Sequence, residues 1–176
     1  MNRSRVVEFE GKRHFIQVIN QPLKLLVVGA VHIAQALIPM AQSCGYAVTL
    51  IDPRKAFASN DRFPGVAVRN EWPDKALTAL GLNSRTAVVT LTHDPKLDEP
   101  ALIKALNSDV FYIGALGSRR THKARCERLS EAGVSEEKLE RIHAPIGLDI
   151  GATSPAEIAV SIMGEITSAL RMRVNQ

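Results

Sequence analysis

The chain has 176 residues, is 45% hydrophobic and carries a net charge of +4, which fits one globular domain with a real core and excludes disordered or collagen-like chains. The positive charges are scattered, so no nucleic-acid partner is expected, and no apolar run approaches the roughly 20 residues of a membrane span. The opening MNRSRVVEFEGKRHF has no apolar signal-peptide stretch, and Cys44 and Cys126 stand in no CxxC or metal spacing. Both therefore read as reduced, structural thiols of a cytoplasmic protein.

In chain order, RVVEFEGKRHFIQVIN is two alternating runs hinged at Glu10-Gly11-Lys12. This predicts an N-terminal β-hairpin extension, residues 1–22, laid against the main body. The rest, residues 23–176, reads as one domain. KLLVVGA precedes a helix-like stretch over 32–44, and AVTLID precedes an irregular segment. GVAVRN precedes PDKALTALG, TAVVTLT precedes EPALIKALN, and VFYIGAL precedes SRRTHKARCERLSEAG. Five parallel strands are predicted near 24–29, 47–51, 66–69, 86–91 and 110–114. Their lack of inside-outside alternation marks strands covered on both faces. The fold class expected is a Rossmann-like, doubly wound α/β sheet, in which these five strands take the order 3-2-1-4-5. SEEKLERI follows, and then a C-terminal helix opened by a capping box, with Ser154, Pro155 and Glu157 at its start. Ile158, Ile162, Ile166 and Ala169 form its apolar stripe.

Ligands of such sheets bind beyond the C-terminal strand ends, near the point where strand order reverses. Four loops should converge there: Gly29–His32, Asp52–Arg54, Thr92–Asp94 and Gly114–Arg120. In the first, Gly29 and Ala34 fit a dinucleotide fingerprint, but its second glycine is replaced by Val31, whose branched Cβ opposes a close pyrophosphate. Asp52, 23 residues after Gly29, is placed either to hold a ribose or to start an Asp-Pro turn. In the fourth loop, Gly117 and the N-cap Ser118 are followed by Arg119, Arg120, His122 and Lys123. Cations oppose the positive end of a helix dipole, and a bound anion such as phosphate would resolve that conflict. The alternative is a basic face screened by solvent and salt. Asp94 is a cap for the helix after it. His93 is open between proton donor, metal ligand and hydrogen-bonded core residue. With Asp98 alone beside it no metal site is expected. HAPIGLDIGATSP should fold back over the sheet edge, with Asp149 either bonded to backbone amides or facing the ligand.

Taken together, VVGAVHIAQAL, TLIDPR, RFPGV, VVTLTHDPKLDEPAL, YIGALGSRRTHKARCERLSEAG and HAPIGLDIGATSPAEIAVSIMGEI resemble, in order, the C-terminal Rossmann domain of XdhC/CoxI proteins. These are accessory factors of xanthine dehydrogenase and related molybdenum hydroxylases. The resemblance runs from about Leu23 to Leu170. It implies a non-catalytic chaperone that binds the molybdenum cofactor (molybdopterin, a phosphorylated pterin), assists its sulfuration by a sulfurtransferase and passes it to the hydroxylase apoenzyme. The cofactor-binding residues it implies are Gly29, His32, Asp52, Arg54, His93, Asp94, Gly117, Ser118, Arg119, Arg120 and Asp149, with no catalytic or metal-ligating residue. Two departures stand out. Val31 replaces a family glycine, which weakens any NAD(P) site. Relatives also carry an N-terminal cysteine-motif domain, which leaves this chain open between a stand-alone single-domain member and the partner of a separately encoded half. A homodimer is left open. The competing readings are an NAD(P)- or flavin-dependent oxidoreductase, with Asp52 at the ribose and His93 as acid or base, and a sensory module with a decayed pocket.

Overall fold

The structure, a computed structural model, describes residues 4–18 and 21–174. Its first two strands, β1 (Arg5–Phe9) and β2 (Lys12–Ile16), pair antiparallel through a two-residue turn. Glu10 and Gly11 both take positive φ there, 50° and 71°. Such a turn matches the natural twist of a hairpin, and glycine lowers its cost. The hairpin was expected to lie against the body, and this is corrected. It forms a sheet of its own with both faces exposed. The physical reason lies in its alternation. Val6 and Phe15 share one face while Phe9 and Ile16 share the other, so no single apolar face exists to turn inward. Residues 1–3 and 19–20 of the predicted extension lie outside the described residues.

The main sheet is parallel throughout. Its strands are β3 (Leu23–Val28), β4 (Tyr46–Ile51), β5 (Ala67–Arg69), β6 (Thr86–Thr90), β7 (Tyr112–Ala115) and β8 (Ile142–His143), in the order β5-β4-β3-β6-β7-β8. The predicted order of the first five is observed, and β8 adds a sixth at the edge. Its two residues pair Ile142 with Ile113 and His143 with Gly114, too short a run to show any periodicity.

Helices α1 (His32–Ser43) and α6 (Pro155–Val174) cover one face, and α2 (Pro73–Leu80), α3 (Pro95–Leu106) and α4 (Arg119–Glu131) the other. The short α5 (Glu136–Leu139) leads into β8. Successive residues of β3 feed opposite cores: Leu25 and Val27 meet Leu37, Ile162 and Ile166, while Leu26 and Val28 meet Leu77 and Leu102. All of these side chains but Leu26 are fully buried, and Leu26 is 1% exposed, so the uninterrupted aliphatic run is explained.

Helix α6 starts as its sequence indicates. Glu157 accepts from the Ser154 and Thr153 amides at 2.8 and 2.9 Å, and Ser154 Oγ accepts from the Glu157 amide at 3.3 Å. The backbone amide of Ser154, then that of Thr153, hold the Glu157 carboxyl down at about 2. Ile162 and Ile166 are buried on the predicted stripe, with Ile158 and Ala169 packed beside them. Both cysteines are free, but Cys44 is exposed at the end of α1, so a structural reading fits only the half-buried Cys126.

Candidate functional site

Parallel pairing brings the C-terminal ends of β3, β4, β6 and β7 to one edge of the sheet, and backbone bonds tie the loops together there. The Gly29 amide donates to Ile51, Leu91 to Val28 and Leu116 to Thr90. Gly29 sits at φ +111°, and a Cβ on it would lie 2.6 Å from Thr92 Cγ2. The first glycine of the fingerprint is therefore used for close packing of the β6 loop. Val31, the N-cap of α1, is half-buried against the core, and His32 is exposed at the first helical position.

Asp52 is fully buried, and its carboxylate is committed inside the protein. Oδ2 accepts from the Ala30 amide at 2.9 Å and from Arg54 Nη2 at 2.8 Å. Oδ1 accepts from the Arg54 amide and Nε, both at 2.9 Å. Burial alone would push its pKa up, but the Arg54 side chain, the two amides and the guanidinium charge together hold it below the ordinary value. Arg54 stacks on Phe57, and Arg62 Nη1 donates to the Ala30 carbonyl at 3.0 Å. Asp52 forms the strand-end turn, with the Arg54 amide donating back to its carboxylate. Ribose binding would require breaking these bonds.

At the end of β6, Thr92 Oγ1 donates to Asp98 at 2.6 Å and accepts from the Asp94 amide at 3.0 Å. Asp94 caps α3 by accepting from the Lys96 amide at 3.0 Å. His93 is exposed at φ +62°, which removes the core-residue reading. No group of three or more metal-binding side chains occurs among the described residues. Beneath these loops Asp98 and Arg125 are both buried, with Arg125 Nη2 3.9 Å from Asp98 Oδ2 and donating to the Leu116 carbonyl at 2.8 Å. Burial pushes the Asp98 carboxyl up, against the Thr92 hydrogen bond and the Arg125 charge. Asp98 Oδ2 and Arg125 Nη1 have no hydrogen-bond partner among the described residues.

Gly117, at φ +140°, lets the β7 loop turn into α4, where Ser118 Oγ accepts from the Thr121 amide at 3.2 Å. Arg119 and Arg120 are exposed at the first turn, as their sequence positions imply. Arg119 lines a cleft of about 380 Å³ together with Asp149, Leu148, Ile150, Ile146 and Ser161. Asp149 is exposed and has no hydrogen-bond partner among the described residues, so the bonds to backbone amides that one reading required are not formed. The cleft loop is anchored from α6: Glu165 Oε2 accepts from the Gly147 amide at 2.8 Å and from the Tyr112 hydroxyl at 2.5 Å, while Oε1 lies 3.2 Å from His143 Nδ1.

The candidate residues thus fall into groups. Asp52 and Arg54 form one internal network with the Ala30 amide, Gly29 packs against Thr92, and His32 is exposed at the start of α1. His93 and Asp94 lie on the next loop, Gly117, Ser118 and Arg120 at the start of α4, and Arg119 with Asp149 on the cleft. Arg62, Arg125 and Glu165 complete the site and were missed by sequence reasoning. Each is a charged residue inside a stretch that carried the family resemblance, RFPGV for Arg62, GALGSRRTHKAR for Arg125 and SIMGEI for Glu165, but nothing in those stretches names its partner.

Residues 25–166 match the family model described as the XdhC Rossmann domain. The chain is 32% identical over 146 residues to the molybdenum cofactor insertion chaperone PaoD of Escherichia coli, covering 83% of this chain and 40% of that protein. It is 30% identical over 153 residues to a probable xanthine dehydrogenase subunit of Bacillus subtilis, covering 86% and 44%. An uncharacterised E. coli protein, YqeB, is 32% identical over 154 residues, covering 86% and 28%. The chain therefore spans less than half the length of these relatives. Among solved structures, that of a xanthine dehydrogenase from Bacillus halodurans superposes with a TM-score of 0.74 at 26% identity, covering 92% of this chain and 45% of that one.

Proposed function

The chain belongs to the XdhC family through its Rossmann domain, and from that premise we propose that it binds the molybdenum cofactor as a non-catalytic accessory protein for a molybdenum hydroxylase. The observation that carries the proposal is the cleft beside the start of α4, where the Arg119 guanidinium and the Asp149 carboxylate share apolar walls. A phosphorylated pterin has matching parts. Its flat ring system suits Leu148 and Ile150, its ring N–H groups suit a carboxylate acceptor, and its phosphate suits Arg119 with the free amides behind Ser118. When bound, the cofactor supplies molybdenum redox chemistry, which belongs to the client enzyme. This chain's residues bind the cofactor, orient it and exclude water.

The nicotinamide reading loses its main support on the same geometry. Its ribose acid, Asp52, is saturated by internal bonds, and its first glycine serves packing against Thr92. The resemblance adds further parts to the proposal: a hydroxylase apoenzyme and a sulfurtransferase as partners, and a cytoplasmic setting. Consistent with that setting, no helix among the described residues is long and apolar enough to cross a membrane.

Purification from molybdate-fed cells tests the proposal. Oxidation of the isolated protein should release a fluorescent pterin in near-stoichiometric amount, and Asp149→Ala should lower the yield. A protein carrying no pterin but binding NADPH at micromolar concentration would overturn it.

A further inference from the structure

A second cavity lies on a different surface of the protein, between α4 and α5. It measures about 380 Å³ and its walls are mostly apolar, built by Leu139, His122 and Cys126. Glu127, Glu136 and Glu140 line it as well. None of the three carboxylates has an ion-pair partner among the described residues. Three basic side chains nearby are engaged elsewhere, Arg128 on Glu99, Lys138 on Asn107, and Arg141 on the carbonyls of Leu106, Ser108 and Val110, while Lys123 stands one turn before Glu127 on α4 without forming an ion pair with it. Three carboxylates around an apolar hollow repel one another, and an apolar insert carrying positive charge would relieve that repulsion.

This same chain carries such an insert. Register pairs Arg5 with Ile16, Val7 with His14 and Phe9 with Lys12, so these six residues share one face of the β1–β2 hairpin. That face holds three apolar and three basic residues and no carboxylate, because Glu8 lies on the opposite face and Glu10 in the turn. Phe9 is 64% exposed and Ile16 44%. A two-stranded hairpin with both faces in water is marginally stable at best and needs a surface to pack on. Among the described residues the hairpin's strands are exposed apart from a half-buried Val7, and no segment outside α4, α5 and the α5 cap Glu140 lines the groove.

We propose that the occupant of the α4–α5 groove is the hairpin of a second copy of this chain. Docking is reciprocal, so that each copy gives its hairpin and receives its partner's about a two-fold axis. Phe9 and Ile16 enter the apolar hollow, and Lys12 pairs with the rim formed by Glu136 and Glu140. The interface is independent of the proposed cofactor cleft, whose lining residues it does not share.

Light scattering after size exclusion, over a protein concentration series at low and high salt, tests the proposal. The unaltered protein should shift from monomer to dimer with concentration, with the midpoint moving to higher concentration as salt rises. Lys12→Glu alone and Glu136→Lys/Glu140→Lys alone should each raise the dissociation constant at least about tenfold, since each sets like charges against one another. Combining the two sets in one chain should recover dimerisation. The cooperative melt of the main sheet, read below the dimerisation midpoint, should be unchanged by Lys12→Glu, since the hairpin is a separate sheet. A protein that is monomeric throughout the series, a dimer indifferent to both charge reversals, or a combined variant that stays monomeric would each overturn the proposal.

Discussion

At Asp52 four hydrogen bonds converge on one buried carboxylate, and at Gly29 a missing side chain makes room for Thr92. Both residues were singled out by their place in a ligand fingerprint, and both turn out to spend their chemistry on the fold. Asp52→Asn keeps the shape but removes the charge that Arg54 clasps. Breaking a fully buried pair costs about 3–5 kcal/mol. Because the Arg54 side chain is 37% exposed and can rehydrate, the expected loss is about 2–3 kcal/mol, read by denaturant melting. The sign with pH follows from the depressed folded pKa. The contribution is present above the ordinary carboxylate value and is lost as pH falls through the folded one, and Asp52→Asn should flatten that acid limb. Val31 makes a second prediction. NADH and NADPH should bind no tighter than about 0.1 mM by calorimetry, and Val31→Gly should not weaken them, because removal of the side chain opens the approach. The type of each special residue could be read from its motif, whereas its partner could not. Partners of a buried charge are set by tertiary contact, as with Ala30 for Asp52 and Leu116 for Arg125.

Helix α4 shows how one element serves ligand and scaffold at once. Its first turn presents Arg119 to the cleft, and two turns later Arg125 reaches back under Gly117 toward Asp98 of α3. The two arginines should therefore behave oppositely when removed. Arg119→Ala is expected to weaken pterin binding by about 1.5–3 kcal/mol, the worth of a charge-assisted hydrogen bond, with smaller loss at high salt. Arg120→Ala, outside the cleft lining, should cost under about 1 kcal/mol of binding. Neither should lower the melting temperature, since both remove cations from the positive end of a helix dipole. Asp98→Ala, by contrast, strands the buried Arg125 guanidinium and should destabilise the protein by about 3–5 kcal/mol in a denaturant titration. At this scale the sequence was informative where periodicity ran long. The strands from β3 to β7, helix α1, the α6 stripe and the capping box were all legible. The two-residue β8 was not, because pairing with β7 alone makes it a strand.

Across the whole molecule, the alternation of aliphatic runs and amphipathic stretches was enough to give the sheet order, since right-handed crossovers leave few other arrangements. The hairpin's placement was not legible, because its two mixed faces give no inward direction. One feature of the assembled domain bears on when it becomes competent. Glu165 of α6 fastens the Gly147 amide, the Tyr112 hydroxyl and His143, and so holds the loop that walls the cleft. Helix α6 follows every described strand, and it also lies across α1, the first helix of the Rossmann domain. During synthesis the sheet can therefore pair before the cleft has its wall, and a chain still short of α6 on the ribosome is folded in part yet unable to retain a ligand. If the cleft holds the cofactor as proposed, loading waits until the domain has been translated through α6.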